Sequence, residues 1–391
     1  MAGGKNMKKS VSTNPLLALK AIGQHIWLDN LSRTLLREGG LQRLINEDGV
    51  DGVTSNPAIF EKAIANGTYY REDLERLRSA GLDAEACYES LVIADIRAAC
   101  AMLLPAFRES RGEVGYVSLE VSPALANDAD ATVVAARRLY RQVGCDNVLI
   151  KVPATDSGIE AFFRLTVEGI SVNVTLIFSL EQYEAVLQSY LLGAMRWLES
   201  GGQARHLRSV ASIFLSRVDT AVDTFLTDLG TLHAARLCGR TGIALAKCCH
   251  GRYREVFQGP DFALLRLAGI RPQTPLWAST GSKNPAYSDL IYVEPLIGLG
   301  SINTMPETTL AAFRNHGLAA DTLQEGLEDA RHHIQALLAL GIDLNRVGES
   351  LQLDGVRSFA EAYRHILQGL TAPEDPVLHE HPGGARLTPS A

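Results

Sequence analysis

Short apolar runs recur along the chain, and each is followed by a polar or glycine-rich turn and then by a segment with helical periodicity. This alternation is typical of βα units arranged around a parallel sheet. Eight runs are predicted to be strands: 25–29, 52–56, 116–121, 147–152, 171–178, 209–215, 275–279 and 301–305. Amphipathic helices are predicted between them, for example over 129–143, 158–168 and 179–198.

Eight strands with intervening helices favour the α/β class, and within it a closed (β/α)8 TIM barrel. An open doubly wound sheet is the alternative, although no Gly-x-Gly-x-x-Gly motif follows the first predicted strand. The segments 57–115 and 306–370 are longer than a minimal barrel needs, so we expect additional helices. The expected domain organisation is a flexible N-terminal tail over 1–20, one catalytic barrel over 21–370 and a disordered C-terminal tail over 371–391.

Polar residues fall on one face of five successive predicted strands, because residues two apart on a strand point in the same direction. The pairs in phase are Trp27 with Asp29, Thr54 with Asn56, Ser118 with Glu120, Leu149 with Lys151, and Asn173 with Thr175. Each pair ends near the carboxyl end of its strand, where barrels of this class have their active sites. Any one of these residues could simply cap a helix or fix a loop. The joint pattern predicts a shared site, because barrel interiors otherwise prefer Val, Ile and Leu.

Lys151 stands at the end of an apolar run, where an ammonium group has no structural use. Burial of that charge without a partner costs several kcal/mol and favours the neutral amine. A neutral lysine is a nucleophile that can form a Schiff base with a carbonyl compound. The alternative interpretation is a lysine whose side chain reaches out of the strand end into solvent.

Schiff-base chemistry also requires acids that move protons and neutral groups that hold the substrate hydroxyls. Glu120 and Asp29 are the available carboxylates near the ends of the predicted strands. The neutral candidates are Asn56, Asn173, Thr175 and Ser212.

The composition argues against several partners. A formal charge of −7 does not favour nucleic acid, since the phosphate backbone selects basic surfaces. The sequence shows no apolar run near the roughly 18 residues of a membrane span, so no membrane partner is expected. Six cysteines without paired metal spacing or a secretory signal predict reduced thiols and a cytoplasmic location. The tracts at 248–250 and 332–333 contain Cys and His, but adjacent helical residues point in different directions, so no metal site is predicted.

Two long segments carry a family resemblance. The sequence Gly-Val-Thr-Ser-Asn-Pro-Ala-Ile-Phe at 52–60 and the sequence Val-Leu-Ile-Lys-Val-Pro-Ala-Thr-Asp-Ser-Gly-Ile at 148–159 resemble the two signature segments of the transaldolases. Four further segments are similar to the longer bacterial subfamily: 26–29, 116–121, 171–178 and 277–285. The resemblance extends from about residue 20 to residue 370, and it also implies a (β/α)8 barrel.

The resemblance implies a role for each matched residue. Lys151 would form the Schiff base with a dihydroxyacetone unit, Glu120 and Thr175 would relay protons with a water molecule, and Asp29 would act as acid and base at the hydroxyl whose C–C bond breaks. The substrate-binding residues would be Thr54, Asn56, Asn173, Ser212, Arg217, Ser279 and Lys283. Many transaldolases have an arginine where this chain has Gly281, and Lys283 is expected to replace it as a point charge without the bidentate fork.

The implied activity is transfer of dihydroxyacetone from sedoheptulose 7-phosphate to glyceraldehyde 3-phosphate, which gives erythrose 4-phosphate and fructose 6-phosphate. The alternative is an enzyme similar to fructose-6-phosphate aldolase, which releases free dihydroxyacetone. Those aldolases have a glutamine at the position that matches Glu120, so the carboxylate favours transfer. A catalytically silent barrel is a third hypothesis, but it predicts a lost lysine or acid. No cofactor or metal is implied, the partners would be sugar phosphates, and the protein would be a monomer or homodimer.

Overall fold

The computed structural model describes residues 14–66 and 69–371. Eight parallel strands follow one another in chain order around a closed barrel, and the last strand pairs with the first. The strands are β1 Gln24–Leu28, β2 Gly52–Thr54, β3 Tyr116–Glu120, β4 Val148–Pro153, β5 Val172–Ile177, β6 Ser209–Phe214, β7 Thr274–Ala278 and β8 Ser301–Met305. The predicted (β/α)8 barrel is therefore confirmed, and the open doubly wound sheet is wrong.

The described residues also form sixteen α-helices, which surround the barrel and cover parts of its ends. They are α1 Pro15–Ile22, α2 Arg33–Arg37, α3 Gly40–Asp48, α4 Pro57–Asn66, α5 Arg71–Ser79, α6 Ala84–Glu109, α7 Ala129–Val143, α8 Asp156–Val167, α9 Leu180–Glu199, α10 Ser216–Leu229, α11 Leu232–Ala235, α12 Thr241–Phe257, α13 Ala263–Leu267, α14 Glu307–His316, α15 Leu327–Ala339 and α16 Leu344–Thr371. As expected, extra helices lie between β2 and β3 and after β8.

All eight predicted strands exist, and their bounds differ from the prediction by at most two residues. The largest difference at a functional position is in β2, which ends at Thr54 and not at residue 56. The side chain of Asn56 accepts a hydrogen bond from the backbone N–H of Ala58 (3.0 Å), and Pro57 is the first residue of α4. Proline cannot donate to a strand ladder, so the chain leaves the sheet and begins a helix there.

The predicted N-terminal tail over 1–20 is too long. Helix α1 begins at Pro15, its Asn14 side chain caps the backbone N–H of Leu16, and both Leu16 and Leu19 are completely buried. The sequence analysis missed this short helix because only a few apolar residues follow a polar, lysine-containing stretch. Residues 1–13 and the predicted C-terminal tail from 372 onward lie outside the described residues.

Helix α6 has the length and hydropathy of a membrane span, which the sequence analysis did not predict. Its composition has another explanation in the fold. Leu91, Ile96, Ala99 and Leu103 are buried on the face that packs against the barrel. A long helix that supplies one wall of a hydrophobic core needs such a face whether or not lipid is present.

Strand β5 is irregular close to its carboxyl end. Val174 pairs with Ala211 and Ile177 pairs with Ile213, so three steps along β5 match two steps along β6. This is a β-bulge, and Leu176 within it has a left-handed backbone with φ of 60°. Such a backbone is uncommon for a bulky residue and must be held by its surroundings.

Helix α16 is the longest described helix, and it packs against α4, α6, α10 and β5. Its contacts with β5 are close because residue 355 is a glycine. A β-carbon at Gly355 would lie only 3.0 Å from Cδ2 of Leu176. The helix therefore lies across the carboxyl end of the barrel, above the bulge.

Candidate active site

A cavity of about 160 Å³ opens at the carboxyl end of the barrel. Its lining residues lie at or just after the carboxyl ends of seven of the eight strands, all except β3. Its walls are formed by Asp29, Thr54, Asn56, Lys151, Thr175, Ser212, Phe214, Arg217, Ala278, Ser279, Gly281, Lys283, Thr304 and Pro306. Nine of the eleven residues predicted for the site therefore line one cavity, although they are spread over more than 250 positions of the sequence.

Lys151 is buried on β4, with only 5% of its side chain exposed. Its Nζ lies 2.7 Å from Oε1 of Glu120 and donates a hydrogen bond to the backbone carbonyl of Ser55 (3.0 Å). The solvent-exposed alternative is therefore wrong. The lysine has a charge partner because residues 120 and 151 are direct neighbours across β3 and β4.

The Lys151–Glu120 pair can exist in two forms. Transfer of one proton from nitrogen to oxygen along the 2.7 Å contact converts the ion pair to an amine and a carboxylic acid. Burial raises the pKa of Glu120, and the charge and hydrogen bond of Lys151 oppose that rise only in part. The carboxyl group of Glu120 is close enough to accept the proton of Lys151 directly. A nucleophilic amine is therefore accessible without a change in the net charge of the site.

Two buried oxygen atoms near this pair have no hydrogen-bond partner among the residues that the structure describes. They are Oε2 of Glu120 and Oγ1 of Thr175. Both residues line a second cavity of about 20 Å³ together with Lys151 and Phe359 of α16. Buried polar atoms normally find a partner, so this corner of the site suits a water molecule or a substrate hydroxyl.

Asp29 follows directly after β1, and it is held by a chain of hydroxyl groups. Thr54 Oγ1 donates to Oδ1 of Asp29 (2.9 Å) and lies 2.8 Å from Oγ1 of Thr304. Burial raises the pKa of Asp29, while Lys151, the Thr54 hydrogen bond, Lys283 and Arg217 lower it to a smaller extent. A buried carboxyl group with a raised pKa holds a proton more readily than an exposed one and can exchange it with a substrate hydroxyl.

A second polar chain runs across β3, β5 and β6. Asn173 donates from Nδ2 to Oγ of Ser118 (3.0 Å) and accepts on Oδ1 from Oγ of Ser212 (2.7 Å). Asn173 is fully buried, whereas Ser212 reaches the cavity wall. Asn173 therefore lies one step behind Ser212 and holds the serine hydroxyl in place.

Two positive side chains lie on the side of the cavity away from Glu120. Arg217 lies at the start of α10 with its guanidinium 5.5 Å from the ring centroid of Phe214, and no ion-pair partner for it is found in the part of the chain that the structure describes. Burial lowers the pKa of Arg217, and Asp29 partly offsets this. Lys283 is exposed at the rim. Two cations without carboxylate partners suit an anionic group of a ligand.

Ser279 lies directly after β7 and lines the same cavity as these two cations. Its backbone is left-handed, with φ of 55°, and its hydroxyl lies 2.8 Å from that of Ser216. The backbone N–H of Ser216 also donates to the carbonyl of Ser279 (3.1 Å), so the two loops after β6 and β7 are joined. A β-carbon at Gly281 would meet only Pro306 and Thr309, at 3.5 and 3.7 Å, so this wall has room for a side chain.

Residues 26–370 match the model of a family described as Transaldolase/Fructose-6-phosphate aldolase. The chain belongs to this family. Three proteins named transaldolase illustrate the similarity. That of Thiobacillus denitrificans is 51% identical over 346 residues, which cover 88% of this chain and 96% of the relative. Those of Neisseria meningitidis serogroup A and Mycobacterium bovis are 46% and 43% identical, and the matches cover 90% and 93% of this chain and 98% of each relative.

The sequence analysis missed four parts of this transaldolase-family site. Phe214 and Thr304 line the cavity, Phe359 lies with its ring centroid 5.9 Å from Nζ of Lys151, and the carbonyl of Ser55 accepts from that lysine. The same alternation that selected Ser212 also selects Phe214, and Thr304 lies near the end of the eighth predicted strand. The positions of Phe359 and the Ser55 carbonyl have no comparable sequence signal.

Proposed function

We propose that this enzyme transfers a dihydroxyacetone unit from sedoheptulose 7-phosphate to glyceraldehyde 3-phosphate through a Schiff base on Lys151. The observation that carries the proposal is the buried contact of 2.7 Å between Lys151 and Glu120 in a cavity that also contains Asp29. Membership of the family and the names of the relatives support the same reaction class. The products would be erythrose 4-phosphate and fructose 6-phosphate.

In the first step, the neutral amine of Lys151 attacks the ketone carbon of the donor and forms a carbinolamine. Glu120, now the carboxylic acid of the neutral pair, supplies a proton to the hydroxyl that leaves as water. The Thr175 hydroxyl is proposed to hold the water molecule through which this proton passes, since both side chains face the same small cavity. The product is a protonated imine.

In the second step, Asp29 removes the proton from the donor hydroxyl next to the bond that breaks. The electrons of the C–C bond move into the protonated imine and give an enamine, while the oxygen becomes the carbonyl of the departing aldose phosphate. The enamine then attacks the carbonyl carbon of the acceptor aldehyde, and Asp29 returns its proton to the new hydroxyl. Hydrolysis of the imine releases the ketose phosphate and restores Lys151.

The remaining residues are proposed to bind the sugar chain. Thr54, Asn56 and Ser212 would contact hydroxyl groups, with Asn173 supporting Ser212. Arg217, Ser279 and Lys283 would hold the phosphate group. Arg217 and Lys283 line the cavity on the same side as Ser279 and supply positive charge there.

Release of free dihydroxyacetone is the alternative reaction, and the matching family includes aldolases of that kind. The relatives cited above are named transaldolase, and they do not favour this alternative. Product analysis separates the two reactions. Incubation with fructose 6-phosphate and no acceptor should give at most one bound three-carbon unit per enzyme, whereas an aldolase would accumulate free dihydroxyacetone.

We further propose that the described helices and strands, from α1 at Pro15 to α16 ending at Thr371, form one catalytic domain, most of which lies within the family match over 26–370. We propose a monomer or homodimer in the cytoplasm, with sugar phosphates as small-molecule partners. A coupled assay with sedoheptulose 7-phosphate and glyceraldehyde 3-phosphate tests the central proposal directly. Formation of erythrose 4-phosphate supports it, and its absence with a correctly folded protein contradicts it.

A further inference from the structure

Helix α16 contributes one stripe of residues to the carboxyl end of the barrel. Gln352, Gly355, Val356 and Phe359 are spaced three, four and seven residues apart, so they lie on one face of the helix. Val356 and Phe359 close the small cavity beside Lys151 and Glu120. Gly355 permits the close contact with Leu176. Gln352 is the polar member of this stripe.

The carboxamide of Gln352 bridges the ends of two strands. Its Nε2 donates one hydrogen to the carbonyl of Ala154 (2.8 Å) and the other to the carbonyl of Leu176 (3.1 Å). The backbone N–H of Ala154 also donates to the carbonyl of Thr175 (2.7 Å). The residues just after β4 are thereby joined to the bulge of β5, and both are joined to α16.

This bridge contacts the irregular part of β5. Leu176 has the unfavourable left-handed backbone, and its carbonyl is one of the two acceptors. Leu176 is adjacent to Thr175, which lines the small cavity together with Lys151 and Glu120 and whose hydroxyl has no partner in the described part of the protein. A bulge next to an active site changes the direction of the side chains around it. Its strained backbone persists only when neighbouring groups stabilise it.

We infer that Gln352 is a positioning residue, which holds the β5 bulge so that the hydroxyl of Thr175 points at the Lys151–Glu120 pair. Without the amide donor, the Leu176 carbonyl loses its partner and the bulge can relax toward regular pairing. The Thr175 hydroxyl then leaves the position needed to hold the relaying water. Arg217 on α10 and Ser279 after β7 make no hydrogen bond with Gln352 in the described residues, so we expect the binding of the sugar phosphate to change less than the rate of imine formation. This inference rests on the proposed function.

The test is the rate of imine formation, measured by quenching single turnovers of fructose 6-phosphate with borohydride. Gln352→Met keeps the side-chain length and removes the donor, and a displacement near 1 Å at a reacting group can reduce a rate by about 10- to 100-fold. We expect imine formation to slow by about that factor, with KM for fructose 6-phosphate unchanged. Gln368→Met is the matched control, because Gln368 lies on the exposed side of the same helix, and this variant should behave like the wild type.

A double-mutant cycle separates positioning from a general structural effect. If Gln352 acts through Thr175, Gln352→Met should slow imine formation very little when Thr175 is already Val. Multiplicative losses in the double variant, or an unchanged rate in Gln352→Met, would overturn the inference. If Gln352→Met does not fold, Gln352→Glu takes its place at neutral pH, where a carboxylate cannot donate to either carbonyl. Absence of any trapped imine in the wild type would instead refute the proposed function itself.

Discussion

Nζ of Lys151 and Oε1 of Glu120 lie 2.7 Å apart at neighbouring strand ends, and both side chains are almost completely buried. The pairing meets two opposing requirements, because the lysine must be buried without destabilising the fold and must also be able to lose its proton. A lone buried ammonium would destabilise the fold, whereas a carboxyl group at this distance stabilises the charged lysine and can also take its proton. In the proposed mechanism, the same contact serves both the resting protein and the first chemical step.

The first prediction concerns the covalent intermediate. Incubation with fructose 6-phosphate followed by borohydride reduction and peptide mapping should give a three-carbon adduct on the peptide that contains Lys151. Lys151→Arg retains the positive charge beside Glu120 but cannot form an imine, so it should fold and show no transfer. Lys247 on α12 and Lys283 at the rim of the cavity should remain unmodified. An adduct on either of them, or an active Lys151→Arg variant, would refute the assignment.

The second prediction concerns Glu120. Glu120→Gln keeps the shape of the side chain but can neither take the proton of Lys151 nor supply one to the leaving hydroxyl. We expect the transfer rate to fall by roughly 10² or more, while KM changes little. The check is a comparison of kcat and KM with those of Glu181→Gln, a surface variant at the start of α9. Full transfer activity in Glu120→Gln would remove this residue from the mechanism.

The third prediction is the pH dependence set by Asp29. Burial raises the pKa of this carboxyl group, and the protonated form cannot accept a proton from the substrate hydroxyl. The transfer rate should therefore begin to fall, as the pH decreases, at a pH above the value of about 3.9 typical of aspartate. The contribution of Asp29 to the stability of the fold has the opposite pH dependence, because it is larger at low pH than at high pH. The contribution of Asp29 is fully present below its unfolded pKa and is lost as the pH rises through the folded pKa.

Thr54→Val tests the origin of that pH dependence. The Thr54 hydroxyl donates to Asp29 and lowers its pKa, so removal of the hydroxyl should raise the pKa further. The acid limb of the kcat profile should move to higher pH. A limb that stayed in place or moved to lower pH would show that another group controls it. Thr166→Val is a suitable control, because its buried hydroxyl donates to a backbone carbonyl on α8, away from the cavity.

The fourth prediction concerns Arg217. This guanidinium faces the cavity without a carboxylate partner in the described residues, so a bound phosphate would be its main counter-ion. Arg217→Ala should cost about 2–4 kcal/mol of binding, which corresponds to a roughly 30- to 700-fold higher KM for phosphorylated donors. Because the phosphate is held equally in the ground and transition states, kcat should change much less. Unphosphorylated fructose is the control substrate, and its KM should not change.

The fifth prediction uses the open wall at Gly281. Lys283→Ala should weaken phosphate binding, and Gly281→Arg in that background should restore it. A β-carbon at residue 281 would meet no atom closer than 3.5 Å, so the new side chain can enter the cavity from there. This is the position where many transaldolases have an arginine. The measurement is KM for sedoheptulose 7-phosphate in the single and double variants. An unchanged KM in Lys283→Ala would show that Lys283 is not a phosphate ligand, and no recovery in a folded double variant would show that an arginine at residue 281 cannot take its place.

The alternation of polar residues was sufficient to predict that most of the proposed catalytic residues lie near one another. Asp29, Glu120, Lys151 and Thr175 each lie at or beside the carboxyl end of a strand, and a closed barrel brings all such ends to one opening. The Lys151–Glu120 contact follows from this arrangement, since it requires only that β3 and β4 pair in register. The sequence analysis considered the lysine by itself and for that reason did not expect a charge partner.

Other parts of the site depend on packing that no local pattern contains. Phe359 lies more than 200 positions after Lys151, and only the path of α16 across the barrel brings them together. The bulge at Leu176 is likewise invisible in the sequence, because leucine has no preference for a left-handed backbone. Such features arise where tertiary contacts outweigh local preference.

The order of synthesis gives the position of α16 a consequence for folding in the cell. A chain made from its amino end completes all eight strands by Met305, well before Leu344 begins the helix that covers Lys151. Until that helix docks, Val356 and Phe359 cannot close the small cavity beside Lys151 and Glu120. Closure of this side of the site is therefore one of the last steps that a chain growing from its amino end can complete.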